Sequence, residues 1–463
     1  MADTEPEDDD DALRTLLETG TREEIVLALA DLDAREVADL LEEESEDIRT
    51  RTFEALGTIS QARVLREIDD EETREEILDA LPDDVIADIA EAHKSDDAAD
   101  LVDELPADRR ERVLAEIEPQ KAAEIRELRR FDPETAGGIM QTELLRIDQS
   151  LTVAQAIEVV RREYSPRMGD LYDAWVVDGE GRVTGRVRSR QLLTCPAEAR
   201  VREVMLTDVL TVPVTLDQEE IADLVQDYDV ATVAVVDEDG RLVGRIMVDD
   251  ILDVVEEEAT EDAALQAGTT PDDVYSRSVG RTVRARLPWL FATFCGGLVT
   301  ILLVAGAEEE IQKVALVAAV IPIIAGMSGN VGTQASSVTV RGIAVGEVDF
   351  GKLGRVIVKE LMSGLVFAAF FAALLYAYVL FVLPSLKPGL THGGDQNPLR
   401  VALIPAIAIA LTILSGATMG TLVPLTLHRL GRDPAVASSP FISTMNDVVG
   451  ITVLTFVARA LLA

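Results

Sequence analysis

Near its C-terminal end the chain reads STMNDVVGITVLTF, residues 443–456, and Asp447 is the residue there whose type invites chemistry. The segment Ser438 to Ala463 is long and apolar enough to cross the roughly 30 Å hydrocarbon core of a bilayer, and Asp447 falls near its middle. A charge at such depth costs roughly 2.5–3.5 kcal/mol on insertion scales, so it normally faces a wet cavity or a partner. No base at similar depth is available to pair with it. A carboxylate accompanied by carbonyls, the amide of Asn446 and water suits a hard cation such as magnesium, which keeps several waters and is held by one or two carboxylates. With a two-fold axis through the site, two copies of Asp447 supply both, and a homodimer is expected. Manganese and cobalt fit similar oxygen ligands; the choice depends on cavity size.

A second polar stretch, IPIIAGMSGNVGTQASSVTVRG (321–342), puts Ser328, Asn330, Thr333, Gln334 and Ser336 among glycines inside another apolar segment. Such groups can hydrogen-bond one helix to the next. Alternatively, Asn330 and its neighbours line a hydrated cation path.

The elements that position these residues follow from composition. A chain of 463 residues has room for about three domains. Its net charge of -42 is uneven: residues 286–463 carry 9 acids and 11 bases, leaving 75 acids against 31 bases ahead of them. The rear reads as five membrane crossings, about Pro288–Ala307, Val314–Ala335, Val356–Pro384, Val401–His428 and Ser438–Ala463. Arg286, Arg341, Lys352, Arg355, Lys359, Arg429 and Arg432 flank one side, and Lys313, Lys387, Arg400 and Arg459 the other. That excess places the acidic front and the N-terminus in the cytoplasm and the C-terminus outside the cell membrane. The start MADTEPEDDDDA has neither the basic residues nor the apolar core of a signal peptide. Cys195 and Cys295 lie in different regions and suggest neither a disulfide nor a metal cluster.

Within the front, residues 1–11 read as an acidic disordered start. Residues 12–131 read as an all-α superhelix of loose repeats, in which Leu-Pro at 81 and 105 stops one helix before an acid starts the next. Residues 132–248 contain a duplication. AWVVDGEGRVTGRV (174–187) and VAVVDEDGRLVGRI (233–246) align without gaps as strand, glycine turn and strand. Each follows an amphipathic helix and, before it, a methionine-containing turn. The two copies, about 137–197 and 201–248, resemble a tandem pair of α/β CBS domains, regulatory modules that often bind adenine nucleotides or metal ions. The nucleotide signature of that fold is a hydroxyl residue and, three positions later, an Asp. Arg188 and Gln191 stand there in the first copy, Met247 and Asp250 in the second, and this partial loss weakens the expectation of a nucleotide. A helix at 249–265, a linker at 266–287 and the α-helical membrane domain at 288–463 complete the chain.

The order TAGGIM, DQEEIADLVQDYD, VDDILDVVEEEATED, GNVGTQ and SSPFISTMNDVVG resembles the MgtE family of magnesium channels and transporters over nearly the whole length. The resemblance implies a homodimer in the bilayer whose five crossings per subunit line a central cation path. It also implies cytosolic helical and CBS domains that close the pore, through the 249–265 plug helix, when intracellular magnesium is high. Magnesium is then both substrate and regulator. The family's pore carboxylate falls on Asp447, with Asn446 and Gly450 beside it, and Ser439 replaces the Asn that precedes the family's proline. Its cytosolic ion sites fall on Glu219, Asp229, Asp250, Asp253, Glu258, Glu261 and Asp262, and on Asp97 of the helical domain.

Much of the acidic surface is equally what a protein of a high-salt cytoplasm shows. GMSG at 326–329 matches the serine motif of rhomboid-type membrane proteases. That chemistry needs a histidine at membrane depth, and His93, His392 and His428 fall elsewhere. No second buried acid supports aspartyl proteolysis, so no enzyme is expected. A magnesium antiporter driven by sodium or protons uses a single Asp equally well, although no inverted repeat is evident. No nucleic-acid partner is expected of so acidic a chain.

Overall fold

Ten helices, α1 to α10, succeed one another at Pro6–Thr19, Arg22–Ala28, Ala34–Glu43, Glu46–Ala55, Thr58–Glu67, Glu71–Ala80, Asp83–Ala92, Ser95–Glu104, Ala107–Glu116 and Pro119–Leu128. They belong to a computed structural model that describes residues 6–165, 168, 172–276, 278–345, 353–387, 390, 397–437 and 439–462. The starts are written in the sequence. Thr21 and Asp33 form capping boxes with Glu24 and Glu36, and Pro82 and Pro106 are N-caps followed by acids in the first turn. Leu81 and Leu105 are the buried residues just before those prolines. Helices of about ten residues are marginal alone, so burial must hold them. Packing of α3 on α5, α5 on α7 and α7 on α9, with α2 on α4 and α4 on α6 alongside, winds a superhelix around Phe53, Leu65, Ile77, Ile86 and Leu101. Residues 6–11, read from the sequence as part of a disordered start, lie in α1.

The duplicated region forms two three-stranded sheets. In the first, β1 (Arg146–Asp148) pairs parallel to β2 (Asp173–Val177), which pairs antiparallel to β3 (Val183–Arg188). Helix α11 (Val153–Glu163) precedes β2, and α12 (Ser189–Thr194) and α13 (Val201–Val204) follow β3. In the second, β4 (Thr211–Pro213), β5 (Thr232–Val236) and β6 (Leu242–Met247) repeat the plan, with α14 (Gln218–Tyr228) between β4 and β5. Trp175 is buried with Ala234 and Leu242, sealing one copy against the other. The expected boundaries at 137–197 and 201–248 are crossed in space. The 135–141 segment hydrogen-bonds to the second copy through Ala136 N–Leu216 O and Gln141–Arg245, while Leu206 bonds to Arg186 of the first. Each methionine turn covers the other copy's hairpin: a Cβ on Gly185 would lie 2.9 Å from Met205 Sδ, and one on Gly244 would lie 2.5 Å from Met140 Sδ.

The chain divides into two compact units, residues 1–258 with 275–277 and residues 259–274 with 278–463. Helix α15 (Val248–Ala267) belongs to both and exceeds the expected 249–265 by a few residues. It ends at Gly268, whose φ of 79° is the left-handed conformation that glycine adopts without penalty. The expected linker contains helix α16 (Pro271–Tyr275) and the beginning of the first membrane helix.

In the second unit, five helices are long and apolar enough to cross a membrane: Val279–Ala305, Leu316–Ala344, Gly354–Leu386, Pro398–Arg429 and Ser439–Leu462. Most outrun the expected spans because helix continues into charged ends that a hydropathy criterion discards. The fourth is the most enclosed; the second, third and fifth pack on it, and the first packs on the fifth. Leu290, Phe291, Phe294 and Leu302 leave the first helix's apolar side chains exposed, as a lipid-facing surface requires.

Candidate ion sites

The polar stretch of the second membrane helix has two faces. Ser328, Gly332 and Ser336 point inward. Ser328 Oγ donates to Thr412 O at 2.9 Å, and Ser336 Oγ donates to Ala437 O at 3.3 Å. The helices touch where side chains are absent: a Cβ on Gly420 would strike Gly332 O, and one on Gly416 would lie 2.6 Å from Ser328 O. Asn330 and Gln334 lie on the exposed face. Interhelical bonding therefore explains the serines, and Asn330 is left with an outward-facing amide. Ser328, the serine of GMSG, is fully buried and engaged with a carbonyl, so the protease motif has no accessible nucleophile.

Asp447 is the ninth residue of the fifth helix, about 12 Å along its axis. That is nearer a third of the way than the expected middle. It is half-buried, and no described residue donates a hydrogen bond to it. Its neighbour Asn446 turns the other way. The Asn446 side chain is fully buried, donates to Ser328 O at 3.4 Å and lies against Gly332, with Oδ1 unpaired among the described residues. Successive residues on a helix point about 100° apart, which is why adjacency in sequence does not make them one site. Ser439 opens this helix, and a Cβ on Gly268, at the end of α15, would lie 2.7 Å from Pro440 Cγ. The end of the expected plug helix thus rests on the helix that carries Asp447.

The carboxylates of the helical domain and CBS pair gather where α8 faces the start of α15. Lys94 Nζ lies 3.4 Å from Asp249 and 3.7 Å from Asp250. Arg66 lies 3.2 Å from Asp253 and 3.9 Å from Asp97, and His93 Nδ1 is 3.6 Å from Asp97. Gln141 Nε2 donates to Asp250 at 2.6 Å, and Met247 N caps the same carboxylate. Burial, reinforced by the Asp249 charge, pushes Asp250 up to about 6 despite Lys94. Asp96, 6 % exposed, is raised by burial and by the charges of Asp97 and Asp250, and its Oδ1 has no partner among the described residues. Burial opposes ionisation of Asp97 too, but His93, Arg66 and Lys94 together hold it below the usual carboxylate range.

Of the residues expected to sense ions, Asp97, Asp250 and Asp253 meet here. Glu258 accepts a 2.7 Å bond from Gln218, one residue before the exposed Glu219 on α14. Glu261 and Asp262 lie further along α15, in the second unit. Asp229 stands apart, capping α14 at φ 49°, the one described non-glycine residue with positive φ. It lines a cleft of about 310 Å³ with Tyr172, Arg186, Arg188, Ser189 and Arg190. Arg186 is tied to buried Asp173 at 2.9 Å, which also accepts from Thr232 of the second copy. Arg188 and Gln191, read as a lost nucleotide signature, cap α12 through a 3.0 Å bond from Arg188 N to Gln191 Oε1. Sequence reasoning passed over Lys94, Arg66, Asp96 and the arginine cleft. Nothing in local spacing marks them, since their partners lie up to 187 positions away. Among the described residues, no three Asp, Glu, His or Cys side chains converge as a finished metal cage.

Comparison with known proteins bears on what these sites serve. Residues 321–457 match a family model described as a divalent cation transporter, MgtE; residues 32–134 match the MgtE intracellular N domain; residues 201–257 match a CBS domain. The magnesium transporter MgtE of Thermus thermophilus is 34 % identical over 371 residues, covering 78 % of this chain and 79 % of that protein. The Enterococcus faecalis magnesium transporter MgtE is 32 % identical over 334 residues, 72 % and 70 % of the two chains. A solved cytosolic domain of the Mg2+ channel MgtE in complex with ATP is 32 % identical, with a TM-score of 0.49, covering 52 % of this chain and 98 % of that one. From the helical domain to the last membrane helix, this chain belongs to the MgtE family of magnesium transporters.

Proposed function

We propose that two copies of this chain form a pore for hydrated magnesium at which the paired Asp447 carboxylates bind the ion. The pore closes when magnesium accumulates at the cytosolic sites. The observation that carries the reading is Asp447 itself: an acid without a protein partner among the described residues, on a helix long enough to cross the membrane. One carboxylate per chain matches an ion that keeps most of its waters. Asn446 serves as a strut between the second and fifth helices, and Asn330 offers its amide from the exposed face. Manganese and cobalt would compete for the same oxygens.

Regulation runs through α15. Asp97, Asp250 and Asp253 are the ion ligands that draw the helical domain onto the CBS pair, with Glu219, Glu258, Glu261 and Asp262 acting further along. Contact between Gly268 and Pro440 supports a path from that helix to the pore. The N-terminus lies in the cytoplasm and the C-terminus outside.

The arginine cleft favours a second regulatory ligand. Arg188 and Arg190 beside Tyr172 and Asp229 offer cations for phosphates, a ring for stacking and a carboxylate for ribose hydroxyls, in a volume at the lower end for small-molecule sites. A nucleotide is its proposed occupant, with Asp229 assigned to it rather than to an ion.

Magnesium flux into proteoliposomes tests the pore. The intact chain should transport, Asp447→Ala should not, and raising magnesium on the cytosolic face should close the wild type. Flux in Asp447→Ala equal to wild type would remove the assignment.

A further inference from the structure

The segment between α15 and the first membrane helix, expected as a linker at 266–287, is tied at several points. Helix α15 ends in a Schellman motif: Thr269 N donates to Ala264 O at 3.0 Å and Gly268 N to Leu265 O at 3.0 Å, with Gly268 left-handed. The hydroxyl of the same Thr269 donates to Asp273 Oδ2 at 2.7 Å. Asp273 sits on α16 with its side chain only 1 % exposed, and that oxygen also accepts from Arg286 Nε of the first membrane helix at 2.6 Å. Thr282 is a further donor to this carboxylate. An acid so covered is held by its donors, because parting it from the guanidinium would leave a buried charge without a counter-ion. The knot also reaches the fifth membrane helix. A Cβ on Gly268 would lie 2.7 Å from Pro440 Cγ and 3.7 Å from Trp289 Cβ, and Trp289 stands three residues beyond Arg286, on the same side of its helix.

We propose that Asp273 and Arg286 form the joint through which α15 moves the start of the fifth membrane helix, and with it the setting of Asp447. A loose linker would absorb a displacement of α15. A run of capping bonds closed by a buried ion pair passes it on, because Thr269, Asp273 and Arg286 cannot separate without stranding the carboxylate. Neither Asp273 nor Arg286 is assigned to an ion; both are positioning residues. The proposal rests on the reading that α15 carries the magnesium response, and it names where that response enters the membrane helices. Its consequence is that sensing and conduction come apart when the joint is cut. Magnesium still binds and the pore still conducts, but the first no longer closes the second.

Two measurements on the full chain test this: magnesium flux into proteoliposomes, and hydrogen exchange in lipid nanodiscs read by mass spectrometry. Asp273→Asn keeps the volume and removes the charge. With no magnesium on the side of the helical domain, it should conduct within about twofold of wild type. Half-closure should need at least about tenfold more magnesium there, a shift within the usual range of coupling between sites. Amides of 93–98, where Ser95 N bonds to Glu143, should gain the same protection from magnesium as in wild type. Those of 266–275 should exchange at least about tenfold faster, since Thr269 N and Asp273 N are bonded within the knot. Arg286→Gln should reproduce both effects, and Arg286→Lys should close as wild type does. Closure of Asp273→Asn and Arg286→Gln at wild-type magnesium would overturn the proposal. Loss of conduction together with closure in a folded variant would overturn it too, by making Asp273 a support of the membrane helices alone. If Asp273→Asn does not fold, Thr269→Val, which removes one donor and keeps the ion pair, carries the comparison with about a threefold shift expected. If magnesium alters neither flux nor exchange in the wild type, the sensor reading fails, whereas unchanged exchange at 266–275 in Asp273→Asn would refute the joint itself.

Discussion

Replacing Asp447 by Asn keeps the volume and one carbonyl oxygen and removes one charge per subunit. A magnesium ion bridged through water lies about 5 Å from the carboxylate, where attraction between charges of two and one is ~1.7 kcal/mol in water and ~7 kcal/mol at an effective dielectric of 20. Asp447 is only half-buried, and no described residue competes for it, so the value belongs toward the watery limit. A loss of ~2–3 kcal/mol corresponds to a roughly 30- to 150-fold fall in occupancy at low magnesium. Initial flux into proteoliposomes below saturation should fall by at least tenfold, while Asp447→Glu should retain part of it. The helical content and dimerisation of the variant should not change, since no described residue hydrogen-bonds to Asp447. Flux within about threefold of wild type at sub-saturating magnesium would refute the reasoning, because the carboxylate would then contribute less than ~1 kcal/mol to the ion.

Gly332→Val would drive a side chain into Asn446 and within 3.0 Å of Ile442, and overpacking should cost ~1–3 kcal/mol, seen as a lower unfolding temperature in detergent; Gly297→Val, with open space around it, should not. Asp250 is raised from 3.8 to about 6 in the folded interface, so the fold binds the extra proton and stability falls as pH rises between those values. Magnesium binding to that carboxylate must release the proton, so closure should need more magnesium below pH 6, and Asp250→Asn should abolish this dependence in a titration of flux against pH. Arg188→Ala and Arg190→Ala should each weaken nucleotide binding to the arginine cleft severalfold by calorimetry, with magnesium flux in the absence of nucleotide unchanged.

Much of this protein is legible along the chain because its determinants are local. Caps such as Thr21 and Asp33, the Leu-Pro boundaries at 81 and 105, the strand repeats around Trp175 and Val233 and the apolar lengths of five helices are readable within a few residues of one another. Asp447 was marked by its chemistry alone, since a lone acid in an apolar span is conspicuous whatever surrounds it. Helix phase decided what surrounds it: Asn446 and Asp447 are neighbours in sequence, yet Asn446 braces two helices while Asp447, half-buried, accepts no hydrogen bond from a described residue. Long-range packing decided the helical and CBS domains. Lys94 and Arg66 meet acids more than 150 positions later, Met140 and Met205 cross to each other's glycines, and Asp229 joins arginines more than 35 positions earlier in a cleft. Sequence thus specified which groups were charged, apolar or capping, because those properties belong to single residues and their periodicity. Only the tertiary structure decided which charges face one another, because that depends on how separate elements are brought together.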